Sequence, residues 1–405
     1  MVLVIGSGVG GAIIGMELAK ANIPVTIIEK GPFCHVKDSY KYYDSDKIDD
    51  NLDLSKTVCV GGSSVVAAGN GVRLLEEELA KYDVDISKEL DEVEELIGVH
   101  QMDDSHFGKG TKKFIEAAKS IGLQVSKMPK FIREEDCVKC GNCAWGCPND
   151  AKWSSQDFIK IAIENGAKLI DNIEVTEIIH EKNSVKGVNI KNSDGSTKII
   201  ESDTIILSAG AIDSAIILQN SGIKAGEKLF VDPFVTVGGI IKDINYNREV
   251  TMNALVVGGN FVLAPHYSTI LNENIDDNSV KKGDILSIMV KIPDDNNGKI
   301  VDGEVIKENT IKDVRFIAEG AATAGAILVK AGVDPTTIVS THLRGAHPGG
   351  TAPIGDIVDE NLETKYKGLF VSDASVIPEA PGAPPILAIL ALSKRLSKYL
   401  IKKQK

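Results

Sequence analysis

The chain opens on an apolar strand that runs straight into a glycine turn. In Met1-Val-Leu-Val-Ile-Gly6-Ser-Gly8-Val-Gly-Gly11-Ala-Ile-Ile-Gly15, Gly6, Gly8 and Gly11 take the spacing G-x-G-x-x-G between a strand (2–5) and a helix. Gly6 permits the tight turn, Gly8 lets the backbone approach a pyrophosphate, and Gly11 lets the helix pack closely on the strand. The helix N-terminus offers free N–H groups and a positive dipole end to phosphates. A second strand (24–28) ends at Glu29, 18 residues after Gly11. An acid there bonds a ribose 2′-OH and disfavours a 2′-phosphate. Together these features predict a dinucleotide site, with NAD and FAD both open. The bland alternative is a glycine-rich turn with no ligand.

At 405 residues the chain is long enough for two domains with separate cores. The net charge of −12 argues against a nucleic-acid partner, which needs a basic face. A strand beginning at residue 2 leaves no room for a signal peptide, and the apolar run Ile386 to Leu392 is too short to span a bilayer. The expectation is a cytoplasmic protein without a transmembrane segment, whose six cysteines are ligands or thiols rather than disulfides.

Four of those cysteines form one run. Cys137-Val-Lys-Cys140-Gly-Asn-Cys143-Ala-Trp-Gly-Cys147-Pro148 fits C-x2-C-x2-C-x3-C-P, the spacing of bacterial ferredoxins. It predicts a [4Fe–4S] cluster, with a four-thiolate Zn²⁺ site as the rival and unmetallated thiols as the remainder. In two-cluster ferredoxins the fourth cysteine serves the other cluster. No second run exists here, so either Cys147 or a remote thiol, Cys34 or Cys59, closes the site.

The rest of the chain reads as alternating elements. Residues 31–60 read as an irregular surface loop, 74–100 as an acidic amphipathic helix, and 111–121, 154–165 and 311–331 as further helices. Strands are expected at 169–179, 185–190, 197–200 and 203–208, with Ser193-Asp-Gly195 as a turn. Segments 231–310 alternate as one antiparallel sheet does. The fold expected is α/β: a Rossmann-like nucleotide domain with a parallel sheet, assembled from 1–75, 150–230 and 341–405. An inserted α+β substrate domain (231–340) carries the antiparallel sheet, and 76–149 is a helical and cysteine-bearing segment.

Near the end, His342-Leu-Arg-Gly-Ala-His347-Pro-Gly-Gly-Thr351 sets two histidines beside a glycine turn, where an imidazole can accept a proton near neutral pH. A strand ending at Asp373 follows, then a helix led by prolines. Taken together, the N-terminal motif with Glu29, Gly61-Gly62-Ser63-Ser64, the stretch from Leu207 to Gly222, and the stretch from His347 to Arg395 resemble the glucose–methanol–choline (GMC) family of FAD-dependent oxidoreductases. Residues 137–154 resemble a cysteine-bearing subset of it.

The resemblance implies FAD rather than NAD. It puts the pyrophosphate over Gly6 to Gly11, the adenosine ribose on Glu29 and the adenine against the main chain of Val175. Gly61 to Ser64, Ala209 and Gly210 would pass close to the nucleotide. Asp373 and Ala374 would face the ribityl–phosphate region, and the helix after Pro385 and Ile386 would aim its N-terminus at the flavin. His347 falls at the family's catalytic histidine. Two departures stand out. Pro384 takes the place of a second histidine or asparagine, for which His342 is one substitute, and Ala67 replaces an asparagine, with Asn70 nearby.

Three functions follow as expectations. The first is a dehydrogenase that acts on a CH–OH group of an alcohol or sugar-like substrate and passes electrons through the cluster to a ferredoxin-like carrier. The second is a ferredoxin-fed reductase of a carbonyl or C=C bond. The third is an electron-transfer or structural partner with a zinc site.

Overall fold

The computed structural model describes residues 1–49, 52–192, 194–275 and 280–404. Its first layer is a five-stranded, all-parallel sheet in the order Leu369–Val371, Thr204–Leu207, Val2–Ile5, Val25–Ile28, Lys168–Ile170. Every residue of the strands Val2–Ile5, Val25–Ile28 and Leu369–Val371 is buried. Such continuous apolar runs suit a parallel sheet covered on both faces. Helices Val9–Lys20 and Ser155–Glu164 pack on one another, and Val9–Lys20 also packs on Ile386–Lys403. A three-stranded antiparallel sheet (Glu174–Glu181, Ser184–Lys191, Thr197–Glu201) stands beside them.

The second layer is a nine-stranded mixed sheet. Its centre is antiparallel: Phe234–Ile240 pairs with Ile285–Lys291, which pairs with Val262–Pro265. The long helix Ile311–Ala331 and the helix Lys109–Ser120 cover it and share a second hydrophobic core with it. Thr310 caps the long helix, accepting from the Asp313 N–H while the Asp313 carboxylate accepts from the Thr310 N–H. The architecture is therefore the α/β one expected, a parallel-sheet layer and a largely antiparallel one with separate cores.

Local readings depart from the structure in three places. Residues 31–60 are not all loop: Tyr43–Asp49 and Leu52–Thr57 form an antiparallel pair at one side of the large sheet. Aspartates are poor strand formers, and only sheet pairing overrides that preference. The acidic helix at 74–100 is two helices, Glu76–Ala80 and Ser87–Ile97. The strand expected over 169–179 is two strands in different sheets, separated at Asn172, whose φ is 57°. Of the turn at 193–195, Ser193 lies outside the described residues. No helix among the described residues is long and apolar enough to cross a membrane.

The glycine turn makes a clean stability test. A Cβ on Gly11 would stand 2.0 Å from the carbonyl oxygen of Gly6, whereas one on Gly8 would meet nothing within 4 Å. Gly11→Ala is expected to cost about 1–3 kcal/mol by overpacking. Gly8→Ala is expected to stay within about 0.5 kcal/mol of the parent. Urea denaturation of the two variants without ligand checks the contrast.

Candidate active site

A cavity of about 530 Å³ runs along the carboxyl ends of the parallel strands and on to the antiparallel sheet. Ligands of open α/β sheets bind at such carboxyl ends. At one end Gly6, Gly8 and Glu29 line it, with Gly62, Ser63 and Ser64 across from them and Val175 beside Glu174. Ala209, Gly210, Asp373 and Ala374 line its middle strands' ends, and Pro385, Ile386 and His347 line it too. Gly11 and Gly61 do not. Gly11 packs helix on strand, and Gly61 acts through Ser7: its N–H donates to Ser7 Oγ (3.0 Å), which donates to Glu29 Oε2 (2.6 Å).

Two buried carboxylates organise this end. Glu29 accepts from the Ser7 and Gly31 N–H groups, each at 2.9 Å. Asp373 accepts at Oδ2 from the Gly210 N–H and the Ser214 hydroxyl, and at Oδ1 from the Ser375 N–H. Burial pushes both carboxyls up, and these hydrogen bonds pull them back down. The first turns of two helices, Val9–Lys20 and Ile386–Lys403, also face the cavity through Val9, Gly10, Ile386 and Ile389. Thr351 Oγ1 donates to the Ala211 carbonyl at 2.6 Å, tying the histidine loop to the loop after Leu207.

At the other end the walls are Phe234, Met252, Met289, His266, Lys291 and Arg344. His347 Nδ1 lies 3.1 Å from Oδ2 of Asp232, which is fully buried. Asp232 Oδ1 accepts from the Gly382 N–H at 2.9 Å, and the Lys291 ammonium donates to the Asp232 carbonyl at 2.8 Å. Burial pushes the Asp232 carboxyl up to about 7, with Lys291 and the Gly382 N–H opposing the rise. Burial and then the Lys291 charge hold the His347 imidazole well below the usual histidine range. A neutral imidazole donating from Nδ1 to a carboxylate keeps its basic lone pair on Nε2. The pair thus forms an oriented base.

Pro384 lines the cavity, and His342 does not: its Nε2 lies 2.7 Å from Asp53 Oδ2, on an exposed face. His342 is therefore no substitute for the second base. Ala67 and Asn70 both line the cavity.

The cysteine run surrounds a second, smaller cavity. Cys137, Cys140, Cys143 and Cys147 all line it, with Ile132, Ala151 and Val250 as its apolar wall. The Ala151 N–H donates to Cys147 Sγ at 3.2 Å. Among the described residues, no three His, Cys, Asp or Glu side chains converge closely enough to hold a single metal ion. Cys34 and Cys59 lie together against Val65 and Val66, line neither cavity, and have thiols pushed up by burial.

The GMC oxidoreductase family matches the chain over residues 52–265 with its N-terminal part and over 302–393 with its C-terminal part. The chain belongs to the GMC oxidoreductase family. Over 98% of its length it is 37% identical to an uncharacterized protein of Methanocaldococcus jannaschii, covering 99% of that chain. It is 24% identical to an uncharacterized GMC-type oxidoreductase of Mycobacterium tuberculosis, with 99% of this chain and 76% of that one covered. Among solved structures, pyridoxine 4-oxidase from Mesorbium loti superimposes with a TM-score of 0.77 at 16% identity, covering 98% of each chain. A formate oxidase superimposes with a TM-score of 0.77 at 15% identity, covering 100% of this chain and 98% of that one.

For this GMC oxidoreductase, sequence reading misses Ser7, Asp232, His266, Lys291 and Arg344. One signal was there: Asp232 is an acid in the otherwise apolar run Leu229 to Val237, and an acid in such a run needs a partner. Removing it tests that partnership. Asp232→Ala leaves Lys291 without its nearby carboxylate and is expected to cost about 3–5 kcal/mol. The shift of the denaturation midpoint measures this, and a cost under 1 kcal/mol would show Asp232 and Lys291 to be uncoupled.

Proposed function

We propose that this oxidoreductase binds FAD in the larger cavity, oxidises a CH–OH group with His347 as base, and carries a [4Fe–4S] cluster on Cys137, Cys140, Cys143 and Cys147. The observation that carries the reading is one cavity that joins Gly6 and Gly8 to His347. The fit to a dinucleotide is supported by the open space a Gly8 Cβ would meet. Glu29 supports it too: three donors already occupy its oxygens, leaving about one of four acceptor sites for a ribose hydroxyl. The division into an FAD domain (1–75, 150–230, 341–405) and a substrate domain (231–340) rests on the two separate cores.

Bound there, FAD supplies a two-electron acceptor for the carbinol hydride. His347 Nε2 takes the hydroxyl proton as that bond breaks. Asp232 holds the ring in the required tautomer and stabilises the imidazolium that forms. The N-terminus of helix Ile386–Lys403 favours negative charge in the cavity. The apolar walls Phe234, Met252 and Met289 exclude water.

Two observations support a thiolate-held metal group. The four thiols surround one cavity, and the Ala151 N–H reaches Cys147 Sγ. A single Zn²⁺ would draw its thiolates to about 2.3 Å from one point. A cluster supplies one-electron acceptance beside the two-electron cofactor. The two cavities share a wall: Ala144, within the cysteine run, lines the larger one and accepts from Tyr43 Oη at 2.6 Å. Val138 and Trp145 are exposed beside the run, as approach by a ferredoxin-like carrier requires.

Anaerobic mixing with an alcohol substrate should bleach the flavin, and His347→Ala should slow the bleaching by about 10²–10⁴-fold; an unchanged rate removes His347 as the base. The neutral imidazole is the competent form, and its pKa is depressed. The rate should therefore hold as pH falls through 6.5 and drop only below it, whereas a limb centred at 6.5 would show an unperturbed histidine. Protein purified without oxygen should contain iron and acid-labile sulfide in equal amounts, and Cys143→Ser should lose both while retaining flavin. Zinc in their place overturns the cluster.

A further inference from the structure

We propose that the substrate is a carboxylate-bearing alcohol, a hydroxy acid, whose carboxylate is held by Arg344 with Lys291 at the antiparallel-sheet end of the cavity. The proposal rests on the reading of that cavity as the oxidoreductase site and adds the substrate class.

Three adjacent strands bring the recognition groups level. Phe234 is the register partner of Lys291 on one side and of Arg344 on the other. Cross-strand partners project on the same face, and all three side chains line the cavity. The two cations flank one ring: Lys291 Nζ is 4.8 Å and Arg344 Cζ 5.6 Å from the Phe234 centroid. Arg344 is three residues from His347, so the anion site and the base share one loop.

The charge count selects the ligand. Lys291 Nζ donates to the Asp232 main-chain carbonyl, and the buried Asp232 and Asp294 carboxyls act on its charge from nearby. Arg344 has no carboxylate within ion-pair distance among the described residues. Its one side-chain hydrogen bond is to the Ser55 hydroxyl at 3.4 Å. Its register partner Asp53 acts on it only from beyond ion-pair distance, with Oδ2 turned to His342 Nε2 at 2.7 Å. The four acids that line the cavity are engaged elsewhere: Glu29 by Ser7 and Gly31, Asp373 by Gly210, Asp213 by Lys56, and Glu174 by Lys30. His266 contributes no charge, since burial and its cationic neighbours lower its pKa to about 4. Among the described residues, one guanidinium thus remains without a contacting carboxylate in a partly desolvated wall. A buried charge of that kind is costly unless a ligand pairs with it. A planar fork of N–H donors carrying one net charge matches a carboxylate monoanion. A phosphate monoester, carrying nearly two charges, would leave one unpaired.

The test uses the flavin-loaded enzyme and two readouts. In the first, a non-oxidisable short carboxylate, its amide and inorganic phosphate are titrated by calorimetry. Binding is expected for the carboxylate, about 10²-fold weaker in Arg344→Gln and partly restored in Arg344→Lys. Equal binding of the amide, or preference for phosphate, overturns the proposal. In the second, anaerobic flavin reduction is compared for hydroxy acids, their methyl esters and hydroxyalkyl phosphates. Arg344→Gln should raise the KM for the acid by a much larger factor than the KM for the ester. An equal loss with both substrates, accompanied by a shifted flavin spectrum, would assign Arg344 to the cofactor and also overturn it. Carboxylate binding without any flavin reduction would leave the anion site standing and sink the alcohol-oxidation reading alone.

Discussion

Asp232 is a carboxylate with no route to water, and the reactive end of the molecule is assembled around that constraint. It sits in left-handed backbone (φ 48°) just before Pro233 and is fully buried. A carboxylate in that position must be satisfied by the chain itself. Its carboxylate partners come from widely separated segments, the Gly382 N–H ahead of the last helix and His347, while Lys291 on a central strand donates to its main-chain carbonyl. Its own N–H donates to Asp294, which pairs at 2.9 Å with the equally buried Lys307. Closing the C-terminal segment over the sheet and orienting the base are therefore one event. A loop that did not bring Gly382 into place would also leave the imidazole unheld.

The two ends of the cavity handle charge differently. The glycine-turn end relies on backbone N–H groups and helix N-termini, which suit phosphates without needing cations. Two of its lysines pair with acids, Lys30 with Glu174 and Lys56 with Asp213. At the sheet end Arg344 makes no ion pair among the described residues, and the wall is aromatic and sulfur-rich. Field and shape therefore separate the binding of a nucleotide from the reading of a substrate. The cysteine run lies between the two cavities, with Ala144 lining the large one and Cys143 the small one.

Much of the nucleotide end was legible in the chain because its chemistry is local. Gly6, Gly8 and Gly11 act through backbone geometry over six residues, and Glu29 ends the next strand. His347 and the prolines before Ile386 were legible through resemblance rather than pattern. The substrate end was not. Lys291, Phe234 and Arg344 are far apart in sequence, and each reads alone as an unremarkable strand residue. The pair Tyr43–Asp49 and Leu52–Thr57 was read as loop because aspartates argue against strands until a neighbouring strand supplies the hydrogen bonds.

What the amino-acid order determines by itself is the set of local geometries: a strand–glycine turn–helix at the N-terminus, a cysteine spacing that aims four thiols one way, and the buried parallel strands. Each is decided by dihedral preferences and apolar periodicity within a few residues. Tertiary structure decides which distant groups share a space. It buries Asp232 beside His347, brings Arg344 level with Lys291 across Phe234, and draws His342 away to Asp53. The reason is physical: pairing and desolvation depend on distances between strands, and sequence separation carries no record of those distances until the sheet has formed.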